Sequence, residues 1–201
     1  MPVRVFLLVL FLFAGFSVSA RAAERLPGSY FLDGFKNVDV LEQPIEMADI
    51  DLAQPGGTVS MAKWHGKWVI FNIWATWCPP CVAELPELDR LKFRKSGRGI
   101  DVLAVSIDRK MDADRIAYFL KRYHSPHLVP LYDQNRVLGE RLDTGMLPVT
   151  YVINPNGQAV AALYGPAKWS SQHAQAFLDA LVQYPDLLSH YVKRYRQAEK
   201  P

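Results

Sequence analysis

The sequence predicts an α/β protein, a mixed β-sheet flanked by helices. Three observations predict it. Residues 68–74, Trp-Val-Ile-Phe-Asn-Ile-Trp, run almost wholly apolar, as a strand covered on both faces does. Residues 100–107 repeat that pattern after an intervening helical stretch. Residues 149–153 and 159–164 then flank Asn154-Pro155-Asn156-Gly157, a turn sequence that closes an antiparallel hairpin. Strand, helix, strand, then hairpin and helix make one layered domain.

Taken in order, the chain opens with Arg4 and an apolar run over 5–16, shorter than the roughly 20 residues a membrane-spanning helix needs. Small residues at Ala20 and Ala22 suit a signal peptidase. Residues 1–22 are therefore expected to be a signal peptide, or an N-terminal membrane anchor if uncleaved, and the folded part is exported in either case. Residues 23–44 read as an irregular lead-in, with one short strand near 45–47, where the folded domain of 45–184 is expected to begin. A strand at 58–61 and a turn at 64–67 precede the first buried strand. A helix follows over 79–95, with Pro79 in its first turn, where no N–H is needed, and Val82, Leu85, Leu88 and Leu91 along one side. Pro86 should kink it. Residues 112–123 carry Ile116, Phe119 and Leu120 at helical spacing. A short strand at 128–132, a short helix at 136–142 and a final helix at 170–183, capped by Ser170 or Ser171, complete the domain. Beyond it, residues 185–201 read as a C-terminal helical extension. Its stripe of Leu187, Leu188, Tyr191, Val192 and Tyr195 packs on the domain, with a partner or membrane surface as the alternative.

Composition narrows the function. Half of the 201 residues are hydrophobic and 21% are charged, which excludes a disordered or collagen-like chain. The net charge of +3 falls to +1 once Arg4 and Arg21 leave with the leader, which holds no acid. With no basic tract, nucleic acid is not an expected partner. The chain has two cysteines, Cys78 and Cys81, too close together to staple a fold.

These two lie where a buried strand ends and a helix begins. At a helix N-terminus, unpaired N–H groups and the macrodipole favour a thiolate, and a cysteine so placed falls from about 8.5 to roughly 3.5–7.5 in pKa. Cys78 is thus the expected nucleophile. Cys81, one turn along and facing inward, is the expected resolving thiol. Other uses of the pair fit less well. A zinc site needs four ligands, and the five histidines show no matching spacing, so no metal site is expected. Haem attachment wants a histidine where Val82 stands, a peroxidatic cysteine wants threonine or serine at Ala75, and a copper chaperone of the Sco type has one more residue between its cysteines.

The stretch from Gly66 through Trp77-Cys78-Pro79-Pro80-Cys81 to Pro86 resembles the thioredoxin superfamily, within it the exported TlpA/ResA/DsbE-like thiol–disulfide oxidoreductases. Gly145-Met146-Leu147-Pro148-Val149-Thr150-Tyr151-Val152-Ile153 continues the likeness. The resemblance implies a thioredoxin-like fold with an inserted helix at 112–123, a cis Pro148 beside the disulfide, and a substrate strand meeting the backbone of Leu147. Trp77 and Pro79 join these two as expected substrate-binding residues. Thioredoxins proper carry an aspartate where this chain has Asn72, and the acid looks relocated to Glu84, on the same helix side as Cys81. Burial would raise its pKa and suit it to proton transfer with Cys81. Trp64, Trp68, Trp74 and Trp169 are expected in the packing, and Trp77 at the surface.

The expected function is that of an exported, periplasmic thiol–disulfide oxidoreductase using Cys78, Cys81 and Glu84 without a cofactor. Its direction is reduction of protein disulfides, as in cytochrome c maturation, and its expected partners are protein thiols and a membrane electron donor of the DsbD or CcdA kind. Membrane contact is expected only from an uncleaved leader. The rivals are a copper-handling metallochaperone or assembly factor holding the ion between the same thiols, and an oxidant or isomerase. Copper titration of the reduced protein separates the first, and a redox potential the second.

Overall fold

The structure, a computed structural model, describes residues 35, 38–109 and 111–188. In chain order the strands are β1 (Val38–Glu46), β2 (Asp51–Gln54), β3 (Gly57–Ser60), β4 (Trp68–Trp74), β5 (Ile100–Ser106), β6 (Leu131–Tyr132), β7 (Val149–Ile153) and β8 (Gln158–Tyr164). The helices are α1 (Pro79–Lys95), α2 (Ala113–Arg122), α3 (Val137–Arg141) and α4 (Gln172–Gln183). The strands form one sheet in the order β1-β8-β7-β4-β5-β6-β2-β3. The two apolar runs, β4 and β5, are its parallel centre, and β7 pairs antiparallel on the other side of β4. This is the mixed sheet the sequence predicts.

Every residue of β4 is buried, and its pleat divides them between two cores. Trp68, Ile70 and Trp74 join Leu85, Leu88 and Leu91 of α1, Ile116 and Leu120 of α2, and Phe177, Leu178 and Leu181 of α4. Val69, Phe71 and Ile73 face the other way, toward Met47, Ile50, Leu52, Leu138 and Leu142. Asn72 falls by alternation on the α1 face. Trp64, Trp68, Trp74 and Trp169 are all buried in the packing, and α1 continues through Pro86.

Two departures lie before β4. The sheet begins at Val38, inside the stretch expected to be an irregular lead-in, because β1 runs antiparallel to β8 from Val38 to Glu46. As an edge strand it is mostly exposed and carries a register shift between Val40 and Ile45, so no alternating pattern marks it. Residues 51–54 form β2, which the sequence reading passed over. Only Leu52 and Ala53 are buried in it, too short a signal to read.

The later elements keep close to their expected places. The strand expected at 128–132 contracts to Leu131–Tyr132, although Leu128 is buried. Asp133 starts α3 by accepting from the N–H groups of Val137 and Leu138, each at 3.0 Å. Ser171 caps α4, accepting from Ala174 N. Of the extension, Leu188 is buried and Leu187 packs beside it, while residues 189–201 lie outside the described part. The leader of 1–22 and most of the lead-in lie outside it too. Among the described residues no helix is long and apolar enough to cross a membrane.

Candidate active site

The loop from β4 to α1 is held before the cysteines are reached. Asp108, just beyond β5, accepts from Thr76 N at 2.9 Å and from the Thr76 hydroxyl at 2.8 Å. The Ser106 hydroxyl donates to the same carboxylate at 2.7 Å. Parallel pairing of Trp74 with Ser106 brings these two strand ends together. The next turn closes by Cys78 N donating to Ala75 O at 3.1 Å.

Cys78 is the N-cap of α1, with extended φ and ψ, and Pro79 and Pro80 fill the first helical positions. Its Sγ accepts from Cys81 N at 3.3 Å, as an N-cap oxygen would. A thiolate at that sulfur gains from the same donor and from the end of the macrodipole. Cys78 and Cys81 are joined as a disulfide with Cα atoms 5.3 Å apart. Both are buried, Cys78 at 5% exposure and Cys81 at 1%, whereas Trp77 is 68% exposed at the rim. Pro79 is exposed beside it.

Glu84, one turn beyond Cys81, is 3% exposed and faces the sheet. Its Oε1 accepts from Trp169 Nε1 at 2.8 Å and from Ala167 N at 2.9 Å. Its Oε2 faces Asn72 Nδ2 at 3.3 Å. Asn72 Nδ2 also donates to the Thr150 hydroxyl at 2.9 Å. Burial lifts Glu84 from the ordinary 4.5 to about 7, against the pull of its three hydrogen-bond donors, and Glu87 adds a little in the same direction. A carboxyl poised there exchanges a proton near neutral pH.

The Leu147–Pro148 peptide is cis, Pro148 is buried and Leu147 half-buried. Val149 pairs with Ile73, so Pro148 stands at the sheet end where Trp74 leads into the cysteine loop. Met146 is exposed on the same loop. Thus β4, α1 and β7 carry the expected site residues to one end of the sheet. Sequence reasoning missed the partners of this site. Trp169 was expected only in the packing, yet it donates to Glu84, and the pairing of Asp108 with Thr76 was not foreseen. Among the described residues no group of three His, Cys, Asp or Glu side chains is placed to hold a metal ion.

A family model described as Redoxin matches residues 35–178, most of the chain. The chain belongs to the Redoxin family. Two curated relatives show where the likeness concentrates. The thiol-disulfide oxidoreductase ResA of Oceanobacillus iheyensis is 35% identical over 54% of this chain and 55% of its own length. The thiol:disulfide interchange protein DsbE of Vibrio cholerae is 33% identical over 53% of this chain and 55% of its own. The chain therefore spans about half the length of these relatives. A crystal structure of a putative thiol:disulfide interchange protein DsbE from Chlorobium tepidum superposes with a TM-score of 0.60 at 20% identity, covering 70% of this chain and 98% of the other. The Redoxin domain here has the thioredoxin-like fold.

Proposed function

We propose that this Redoxin-family chain is an exported thiol–disulfide oxidoreductase that reduces protein disulfides in the periplasm through Cys78 and Cys81. The single observation that carries the reading is the Cys78–Cys81 disulfide at the N-terminus of α1, with buried Glu84 one turn below it. The likeness to proteins named ResA and DsbE supports the reaction class.

In this reading the Cys78 thiolate attacks one sulfur of a substrate disulfide. That S–S bond breaks, the second substrate sulfur leaves as a thiolate, and Cys78 is left in a mixed disulfide. Glu84, as a carboxylate, takes the proton of Cys81. The Cys81 thiolate then attacks Cys78 Sγ, forms the intramolecular disulfide and releases the second substrate thiol. Two electrons pass to the substrate, and the chain ends oxidised.

Trp77, Pro79, Leu147 and Pro148 form the surface that receives the substrate backbone in this scheme. A donor of the DsbD or CcdA type returns the electrons at the membrane, and cytochrome c maturation is the process served. A membrane anchor applies only where the leader of 1–22 is retained. Stoichiometric reduction of the insulin interchain disulfides by the reduced chain tests the reaction. The wild-type chain reduces them and Cys78→Ser does not. Equal activity of the variant, or none in the wild type, contradicts the proposal.

A further inference from the structure

Asn72 contacts Glu84 and Thr150 through the same terminal atom of its side chain, at 3.3 Å from Oε2 and 2.9 Å from the hydroxyl. The sheet produces this arrangement. Asn72 of β4 and Thr150 of β7 are directly opposed cross-strand partners, and Glu84 reaches Asn72 from α1. All three are buried, so an unmet hydrogen bond at any of them is destabilising.

The members of this trio differ from the other partners of Glu84 in one respect. Backbone Ala167 N–H and the Trp169 indole N–H can only donate, and both bind Oε1. Oε1 is thereby committed as an acceptor in every state, and the proton of the acid form belongs on Oε2. An Asn amide offers a donor end and an acceptor end of nearly equal shape, and a hydroxyl both donates and accepts.

We propose that Asn72 is a positioning residue that serves both protonation states of Glu84. It donates through Nδ2 to the carboxylate and, turned over, accepts through Oδ1 from the Oε2–H acid. The Thr150 hydroxyl, an acceptor in the first state, donates to Oδ1 in the second. The proton comes and goes while Glu84 Oε2 and the Thr150 hydroxyl each keep a partner. An ionised aspartate at position 72 would suit only the acid, and an aliphatic residue neither state. This inference rests on the proposed proton-carrying role of Glu84.

The groups facing Glu84 are few. Glu87 lies on the same helix, and the Cys81 thiol titrates only after reduction. Lys168, between the two Oε1 donors, is exposed, and Asn72 and Thr150 are neutral.

The test uses the full chain with its disulfide intact, so that no thiol titrates. The Glu84 ¹³Cδ and Asn72 side-chain ¹⁵N–¹H signals are followed by NMR against pH. The Asn72 amide signals are expected to move with the midpoint of Glu84. Asn72→Leu, which removes a partner from both states, changes the acid dissociation constant less than about threefold, whereas Trp169→Phe, which removes a donor that binds the carboxylate more strongly than the acid, lowers it about tenfold. An Asn72 amide unmoved through the Glu84 titration overturns the proposal. So does a shift for Asn72→Leu as large as that for Trp169→Phe, since Asn72 would then be a plain donor to the carboxylate. Should Asn72→Leu not fold, the wild-type amide signals alone decide. These titrations involve no turnover, so a chain inactive on insulin would leave them standing.

Discussion

The indole N–H of Trp169 donates to Oε1 of Glu84 across 2.8 Å, tying the segment before α4 to the helix that carries the cysteines. Trp169 is itself wedged in the core, with its ring 5.5 Å from that of Phe35. A carboxyl group in such surroundings loses its water and is met by fixed donors instead. Its proton affinity is therefore set by the fold.

That affinity shows in stability. Glu84 binds its proton more tightly folded than unfolded, about 7 against 4.5. Its contribution is fully present below about pH 4.5, is lost as pH rises toward 7, and is level above. The loss amounts to about 3 kcal/mol. Urea melts at pH 5 and pH 8 check this: Glu84→Gln removes that part of the pH slope and is the more stable chain at pH 8. An unchanged slope would place Glu84 in an ordinary carboxyl environment.

The same titration governs the proposed proton transfer. Resolution of a mixed disulfide on Cys78 needs the carboxylate form of Glu84, so its rate should climb with pH through a midpoint near 7. Glu84→Gln slows the step by about 10²-fold and removes that midpoint. Stopped-flow mixing of the reduced chain with a small disulfide reads both effects. A midpoint that survives the substitution assigns the proton transfer elsewhere.

Asp108 should matter to the loop more than to the core. Asp108→Ala leaves Thr76 N and two hydroxyls without their acceptor, costing about 1–3 kcal/mol. Because Thr76 leads into Trp77 and Cys78, the variant also exchanges disulfides more slowly. Thermal denaturation and thiol alkylation rates measure the two effects. Alkylation as fast as wild type would confine Asp108 to a structural role.

Much of this was legible in residue order. Two apolar runs marked β4 and β5, and Cys78 and Cys81 at the join of strand and helix marked the site. Spacing alone put Glu84 on the side of Cys81, and the family likeness made it more than a solvated glutamate. What the chain order hides is long-range pairing. Trp169 and Ala167 reach Glu84 from more than 80 residues away, through donors that have no periodicity. Nothing in residue order marks Asp108, because its partner Thr76 is brought to it only by the parallel register of β4 and β5. Only the end of strand β1 was expected, as the short strand near 45–47, and the rest escaped notice for another reason. It pairs through its backbone while most of its side chains face water, so burial never stamped a pattern on it.

The central claim is that Cys78 attacks and Cys81 resolves. Cys81→Ser incubated with a protein disulfide, then mapped by mass spectrometry without reductant, tests it most directly. The account predicts a stable mixed disulfide on Cys78 in Cys81→Ser and none on Cys81 in Cys78→Ser. A stable adduct on Cys81, or no adduct on a Cys78 that remains alkylatable, would contradict it.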